Sequence, residues 1–304
     1  MNVEPIAAIS TVLVADYVET FPAEVKYVWL SPWTFVKVLF LLARCSVFLE
    51  AVFVIGYSFT ETADLTPLTC DVWLALTGMS VVSSIALAEA IFFIRIYALS
   101  GRSRLMWSYL ILQWTTVHVA QFVLMGYIVR SFAFPIIPGV VERIGCFGIP
   151  LPRSIPMLTA LFSLPVFSGM MLVLIMGYLG LRKFRLAHAT NLITIYFRDG
   201  YLYFLVIASL AIVNVILGLK ITGPSNLVIG ESQGVLYSIL SCRLLLHMRH
   251  VGGQTTHNSG DGGHNDGGVS DQLSLEPIHF ANAGACRTYI SGTSSGAKTA
   301  SEYS

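Results

Sequence analysis

Charged side chains are scarce in this sequence, at 12% of its 304 residues. A soluble globular domain carries about 25% charged residues. Here 55% of the residues are hydrophobic and the mean hydropathy is +0.72. The net charge is only +1 and the basic residues are divided between apolar runs, so no nucleic-acid partner is expected. The composition predicts an integral membrane protein whose first partner is the lipid bilayer.

The common catalytic motifs are also missing. The sequence contains no HExxH, no glycine-rich phosphate loop and no pair of intramembrane aspartates. The last apolar run contains no lysine, which excludes a retinal Schiff base. Three histidines near the carboxyl terminus lack the paired spacing of a metal site: His250, His257 and His264. We therefore expect no enzymatic activity, no cofactor and no metal.

Long apolar runs dominate what is present. A helix needs roughly 17 to 25 apolar residues to cross a bilayer. Six runs meet that length, at residues 36–58, 72–98, 106–129, 156–181, 200–220 and 227–246. A shorter one, Ile6 to Val18, is either a seventh span or a helix lying in the membrane surface. The predicted fold is all-α, a polytopic bundle of seven transmembrane helices.

The basic residues predict the orientation, because cytoplasmic loops are enriched in lysine and arginine. One set of helix ends carries eleven of them: Lys26, Lys37, Arg95, Arg102, Arg104, Arg182, Lys183, Arg185, Arg198, Arg243 and Arg249. The opposite set carries four: Arg130, Arg143, Arg153 and Lys220. We expect the first set in the cytoplasm, the amino terminus outside and the carboxyl terminus inside. The plasma membrane is the expected location.

The composition changes abruptly near residue 250. The stretch "HVGGQTTHNSGDGGHNDGGVSDQ" and the end "TYISGTSSGAKTASEYS" contain few apolar residues. Such segments bury too little surface to offset their chain entropy. The predicted division is a transmembrane domain at 1–250 and a disordered cytoplasmic tail at 251–304.

Two of the five cysteines fall on the predicted outer side. Cys70 precedes the third run and Cys146 lies in the loop after the fourth, where disulfides persist. The prediction is a Cys70–Cys146 disulfide, and the alternative is two unpaired thiols. Cys242 is either a palmitoylation site or an inert buried thiol.

Two opposite charges fall at similar depth on consecutive runs. A helix rise of 1.5 Å per residue puts Glu89 roughly 13 Å and Arg44 roughly 12 Å from the cytoplasmic face. A lone charge in lipid is costly, so an Arg44–Glu89 ion pair is predicted, either a fixed contact or one that opens on activation. Arg95 is predicted to extend into the headgroup region.

A deeper polar layer is predicted near the membrane midplane. Glu50, His118 and Asn214 lie roughly 18 to 21 Å from the cytoplasmic face, and Gln121 follows His118 by one turn. Glu50 is either protonated or paired with His118. The layer is either a binding or proton pathway or a set of hydrogen bonds that hold helices together.

The stretch "ADYVETFPAEVKYVWLSPWTFVKVLFLLARC" resembles a fungal, mainly basidiomycete, membrane family known as domain of unknown function 6533. The segments "RIYALSGRSR" and "SILSCRLLLHMR" also resemble this family. The resemblance implies seven spans and carries no known activity, substrate or catalytic residue.

Three functional hypotheses follow. The first is a receptor-like sensor that contacts a cytoplasmic protein through its basic loops and tail, although no Asn-Pro-x-x-Tyr element is present in the last run. The second is a structural scaffold. The third is a small-solute transporter that uses the midplane layer. The sequence does not identify a ligand.

Overall fold

The computed structural model describes residues 3–59, 66–133, 149–150, 154–186, 191–220 and 225–258. Within these ranges there are seven long helices and one two-stranded antiparallel sheet. The helices are α1 (Val3–Glu24), α2 (Phe35–Phe59), α3 (Pro67–Leu99), α4 (Arg104–Arg130), α5 (Ser154–Leu186), α6 (Asn191–Lys220) and α7 (Ser225–Asn258). A π-helical turn, Val25–Trp29, extends α1, and strands β1 (Phe132–Ala133) and β2 (Ile149–Pro150) pair after α4.

Local sequence explains several helix ends. The Thr66 side chain accepts a hydrogen bond from the Thr69 backbone N–H, and a proline occupies the first position of α3. Ser103 caps α4 by accepting from the Met106 N–H. Between these two helices, Gly101 has a φ of +79° and Arg102 a φ of +57°. A glycine tolerates this left-handed conformation without steric cost, which allows a tight turn from α3 to α4.

Each predicted apolar run coincides with a helix of the structure. In the described part of the chain, four helical segments are long and apolar enough to cross a membrane: Ile6–Trp29, Phe35–Tyr57, Leu68–Leu99 and Pro156–Arg182. The first includes Ile6 to Val18, because α1 and the π-helical turn are continuous and add apolar length beyond Asp16. The apolar part of α6 is shorter, Tyr201–Leu217.

The boundary at residue 250 needs a correction. Helix α7 continues to Asn258, eight residues into the segment that was predicted to be disordered. Extending an existing helix adds one backbone hydrogen bond per residue without a new nucleation step, and no proline interrupts this stretch. The rest of the predicted tail lies outside the described residues.

The helices pack around α3. This helix contacts α2, α4, α5 and α7, while α7 also contacts α1, α2 and α6 and so closes a ring. The largest apolar cluster joins α3, α4, α5, α6 and α7, and it includes the tilted ring pair of Phe92 and Phe204 with centroids 5.3 Å apart. Large apolar side chains are exposed on the outer faces, among them Val18, Leu49 and Leu174. Exposed apolar surface of this extent fits a protein embedded in lipid.

Candidate functional site

An ion-pair cluster joins α1 to α2. The Arg44 guanidinium of α2 lies 2.9 Å from Asp16 Oδ2 (from Nη1) and 2.7 Å from Glu24 Oε1 (from Nη2), and it also donates to the Thr20 hydroxyl. Thr20 in turn donates to Glu24 at 3.2 Å. The three partners recur every four residues along α1, so they lie on one face of that helix. We call these four residues, Asp16, Thr20, Glu24 and Arg44, the arginine cluster.

The last helix joins the same cluster. Arg243 of α7 donates from Nε to Asp16 Oδ1 at 2.6 Å, and its Nη2 contacts the exposed carboxylate of Glu19. Asp16 therefore uses both carboxylate oxygens, one for each of two helices. Asp16 and Arg44 are both only 5% exposed, so their part of the network is held away from solvent, whereas Glu19 at its edge is 70% exposed.

These contacts correct the predicted Arg44–Glu89 ion pair. Arg44 binds Asp16 and Glu24 instead, and Glu89 binds residues of α4 and α5. A similar depth counted along two helices does not specify which helix face each side chain occupies. The face of α2 that carries Arg44 meets the acidic face of α1, which leaves Glu89 to other neighbours.

Glu89 belongs to a second polar cluster between α3, α4 and α5. Its Oε2 accepts from the Ser168 hydroxyl at 2.7 Å and lies 3.4 Å from His118 Nε2. His118 Nδ1 is 2.6 Å from Gln121 Oε1, so the expected one-turn neighbours do bond to each other. The Trp114 ring meets the His118 ring edge-on at 5.0 Å. We call Glu89, His118, Gln121 and Ser168 the histidine cluster.

Glu50 lies elsewhere, against α7. A Cβ placed on Gly234 would be 2.5 Å from Glu50 Oε1, so the carboxylate occupies the space that the glycine leaves free. Ser84 of α3 also faces this carboxylate, and Glu231 of α7 is close enough to repel it. We call Glu50, Ser84 and Glu231 the carboxylate cluster.

Ser84 lies near the Glu50 carboxylate, yet no contact among the three residues of the carboxylate cluster has the geometry of a hydrogen bond. In the described residues, both oxygens of Glu50, both oxygens of Glu231 and the Ser84 hydroxyl are buried without a hydrogen-bond partner. Buried polar groups are normally paired, and those that are not often mark an unseen water or ion. The carboxylate cluster thus brings together five such atoms from three helices.

The predicted midplane layer is therefore divided. Asn214 donates to Gln233 Oε1 at 2.9 Å, His118 belongs to the histidine cluster, and Glu50 is not hydrogen-bonded to His118.

Arg95 is also placed differently from expectation. It is only 9% exposed and its guanidinium lies 5.9 Å from the centre of the Phe204 ring, so it packs between helices instead of extending toward headgroups.

Several residues of these clusters escaped sequence reasoning. The four-residue spacing of Asp16, Thr20 and Glu24 is a readable signal for one helix face, but Asp16 was placed at the end of a short run. Glu231 lies near the start of the last apolar run and was not among the predicted site residues, and it is 1% exposed inside the bundle. Ser84 and Ser168 gave no signal, because serine is ordinary in membrane helices.

The described cysteines differ in their bonding state. Cys70 is disulfide-bonded, and Cys45 and Cys242 are free thiols. Cys146 lies outside the described residues, so the Cys70–Cys146 pairing stays a prediction. Among the side chains that the structure describes, no group of three or more His, Cys, Asp or Glu residues is arranged to hold a metal.

Basic side chains fix the turn between α1 and α2. Lys37 Nζ donates to the carbonyls of Trp29 at 2.9 Å and Ser31 at 2.8 Å. From α7, Arg249 Nη1 donates to the Tyr27 carbonyl at 2.6 Å and to the Ser31 hydroxyl at 3.1 Å. These cations satisfy carbonyls that the end of a helix leaves free.

Comparison with known proteins adds one match. No curated protein matches the chain. The matched segment consists of α1, the π-helical turn and the first part of α2, and it contains every residue of the arginine cluster together with Lys37. This segment, residues 6–49, is similar to a family of unknown function, DUF6533, whose model it matches.

Proposed function

We propose that this protein is a receptor-like sensor, a seven-span membrane protein with its amino terminus outside and its carboxyl terminus in the cytoplasm. The excess of basic residues at one set of helix ends supports the orientation. The match to a family of unknown function supports neither a substrate nor an activity. The proposal therefore depends on the geometry of α7.

One observation supports the sensor proposal: α7 connects the carboxylate cluster to the arginine cluster. At one level it carries Glu231, which is buried without a hydrogen-bond partner among the described residues. About 18 Å further along the helix, by the rise of 1.5 Å per residue, it carries Arg243, which is bonded to Asp16. A ligand that pairs with the carboxylate cluster would shift α7, and the shift would change how α7 holds α1.

The first test measures movement of α7 directly. Spin labels at Leu105→Cys in α4 and His247→Cys in α7 would be placed in a Cys45→Ser background, since Cys45 is an exposed free thiol. We expect one compound from a panel of peptides, sterols, amino acids and metal ions to change the distance between the labels by several ångströms. The change should disappear in Glu50→Gln.

The alternative functions give different results. Solute flux into proteoliposomes that is lost in Glu50→Gln, without a change in label distance, would favour a small-solute transporter. Unchanged distances across the whole panel, with no flux, would favour a structural scaffold in which the polar clusters only hold helices together. Ligand-dependent binding of a cytoplasmic protein would extend the sensor proposal to signalling.

A further inference from the structure

The carboxylate cluster is a concentrated set of buried oxygen atoms. Glu50 and Ser84 are 0% exposed and Glu231 is 1% exposed. None of their side-chain oxygens has a hydrogen-bond partner within the described ranges. Three helices, α2, α3 and α7, contribute one residue each, so the cluster lies at a junction of the bundle.

Gly234 directs the Glu50 carboxylate toward α7. Any larger residue at this position would overlap Oε1, which would be 2.5 Å from a Cβ. Glu231 precedes Gly234 by three residues and therefore lies on the same face of α7. Ser84 approaches from α3, and the two carboxylates are near enough to repel each other. Ser84 and Glu231 thus flank the Glu50 carboxylate at the junction of the three helices.

Two adjacent buried carboxylates are neutralised either by protons or by a nearby positive charge, and one proton together with one monovalent cation would balance the pair. Arg44 is occupied by Asp16 and Glu24, and Arg243 is occupied by Asp16 and Glu19. Lys37 donates to backbone carbonyls at the far end of α2. These described cations are therefore committed to other partners.

We infer that Glu50, Ser84 and Glu231, with one of the two carboxyl groups protonated, bind a monovalent cation such as Na⁺. The cluster contains only oxygen ligands, which suit hard cations and not the transition metals that prefer nitrogen or sulfur. Two carboxylates and one hydroxyl supply five unpartnered oxygens. That number is below the roughly six to eight that Ca²⁺ takes. The inference rests on the proposed function, because it names the class of ligand for the same buried site.

The test is cation-dependent stability of the full-length protein in nanodiscs. Thermal unfolding would be followed in NaCl and in choline chloride at equal ionic strength, together with direct binding of ²²Na⁺. We expect Na⁺ to raise the unfolding temperature saturably and ²²Na⁺ to bind. Both effects should disappear in Glu50→Gln and remain in Asp71→Asn, which removes a partly exposed carboxylate at the start of α3.

Equal unfolding temperatures in Na⁺ and choline, with no ²²Na⁺ bound by the wild type, would overturn the inference and indicate protonated carboxylates. A stabilisation by Ca²⁺ that Na⁺ does not reproduce would overturn the monovalent assignment. Ser84→Ala removes a single hydroxyl and provides a second variant in case Glu50→Gln fails to fold; weaker Na⁺ affinity is expected.

The label-distance measurement separates this inference from the proposed function. Na⁺ binding without any movement of α7 would support the cation site and contradict the proposed sensor function. Movement of α7 in response to another compound, with no effect of Na⁺, would contradict the cation site and support the proposed sensor function.

Discussion

Asp16 and Arg243 are separated by 227 positions in the sequence, yet Oδ1 of the first accepts a hydrogen bond from Nε of the second at 2.6 Å. This contact ties the first helix to the last. The other oxygen of Asp16 binds Arg44 at 2.9 Å, so a single carboxylate connects α1, α2 and α7.

We expect Asp16→Ala to lower the free energy of unfolding by about 3 to 5 kcal/mol, because it leaves the buried Arg44 guanidinium short of one partner. Thermal or denaturant unfolding in detergent measures the loss. Glu19→Ala is the matched control: its carboxylate contacts the same Arg243 but is 70% exposed, so less than about 1 kcal/mol is expected. Equal losses for the two variants would contradict a structural role for the buried cluster.

Ser168→Ala should destabilise the bundle by about 1 to 3 kcal/mol, because Glu89 loses a hydrogen bond of 2.7 Å and stays buried. Thermal unfolding provides the measurement. Ser163→Ala, on the same helix, removes a hydroxyl that bonds only the Ala160 carbonyl in an exposed position. A comparable loss in that control would show that the effect of Ser168 is not specific to the histidine cluster.

Gly234→Ala should cost about 1 to 3 kcal/mol, since the new methyl group would overlap the Glu50 carboxylate. Gly230→Ala is the control one turn away, where the nearest atom to a new Cβ is 3.8 Å distant and little change is expected. Shortening the partner in Gly234→Ala with Glu50→Asp should recover part of the loss, and the double-mutant cycle gives the coupling. Purely additive losses would argue against this contact.

Cys70 should be recovered in a peptide linked to the Cys146 peptide when the intact protein is digested without reduction and analysed by mass spectrometry. The reduced sample serves as the control, in which both peptides run separately. A link from Cys70 to any other cysteine would replace the predicted pairing.

The sequence predicted the helices well and the contacts between them poorly. Apolar runs report length, so α2 at Phe35–Phe59 agrees with the predicted 36–58 within one residue at each end. The position of Arg44 along α2 was also useful, since it is buried as expected. Its partner could not be deduced, because similar depth is shared by every helix of a bundle and the choice of neighbour depends on rotation about each helix axis.

The carboxylate cluster shows the same limit in another form. Glu50 was recognisable as an acid far from either end of its run. Gly234 was not recognisable as the residue that makes room for it, since glycine is frequent in membrane helices for many packing reasons. Only the three-dimensional arrangement connects the two.

The bond between Asp16 and Arg243 also has a consequence for biosynthesis. A ribosome makes the chain from its amino terminus, so Asp16 enters the membrane long before Arg243 exists. Until α7 is inserted, Asp16 Oδ1 has not formed its hydrogen bond with Arg243, and the Tyr27 carbonyl has not formed its hydrogen bond with Arg249. The first helix to be made is thus among the last to reach its final contacts, and a chain truncated before α7 would present an incomplete α1 to the quality-control machinery of the cell.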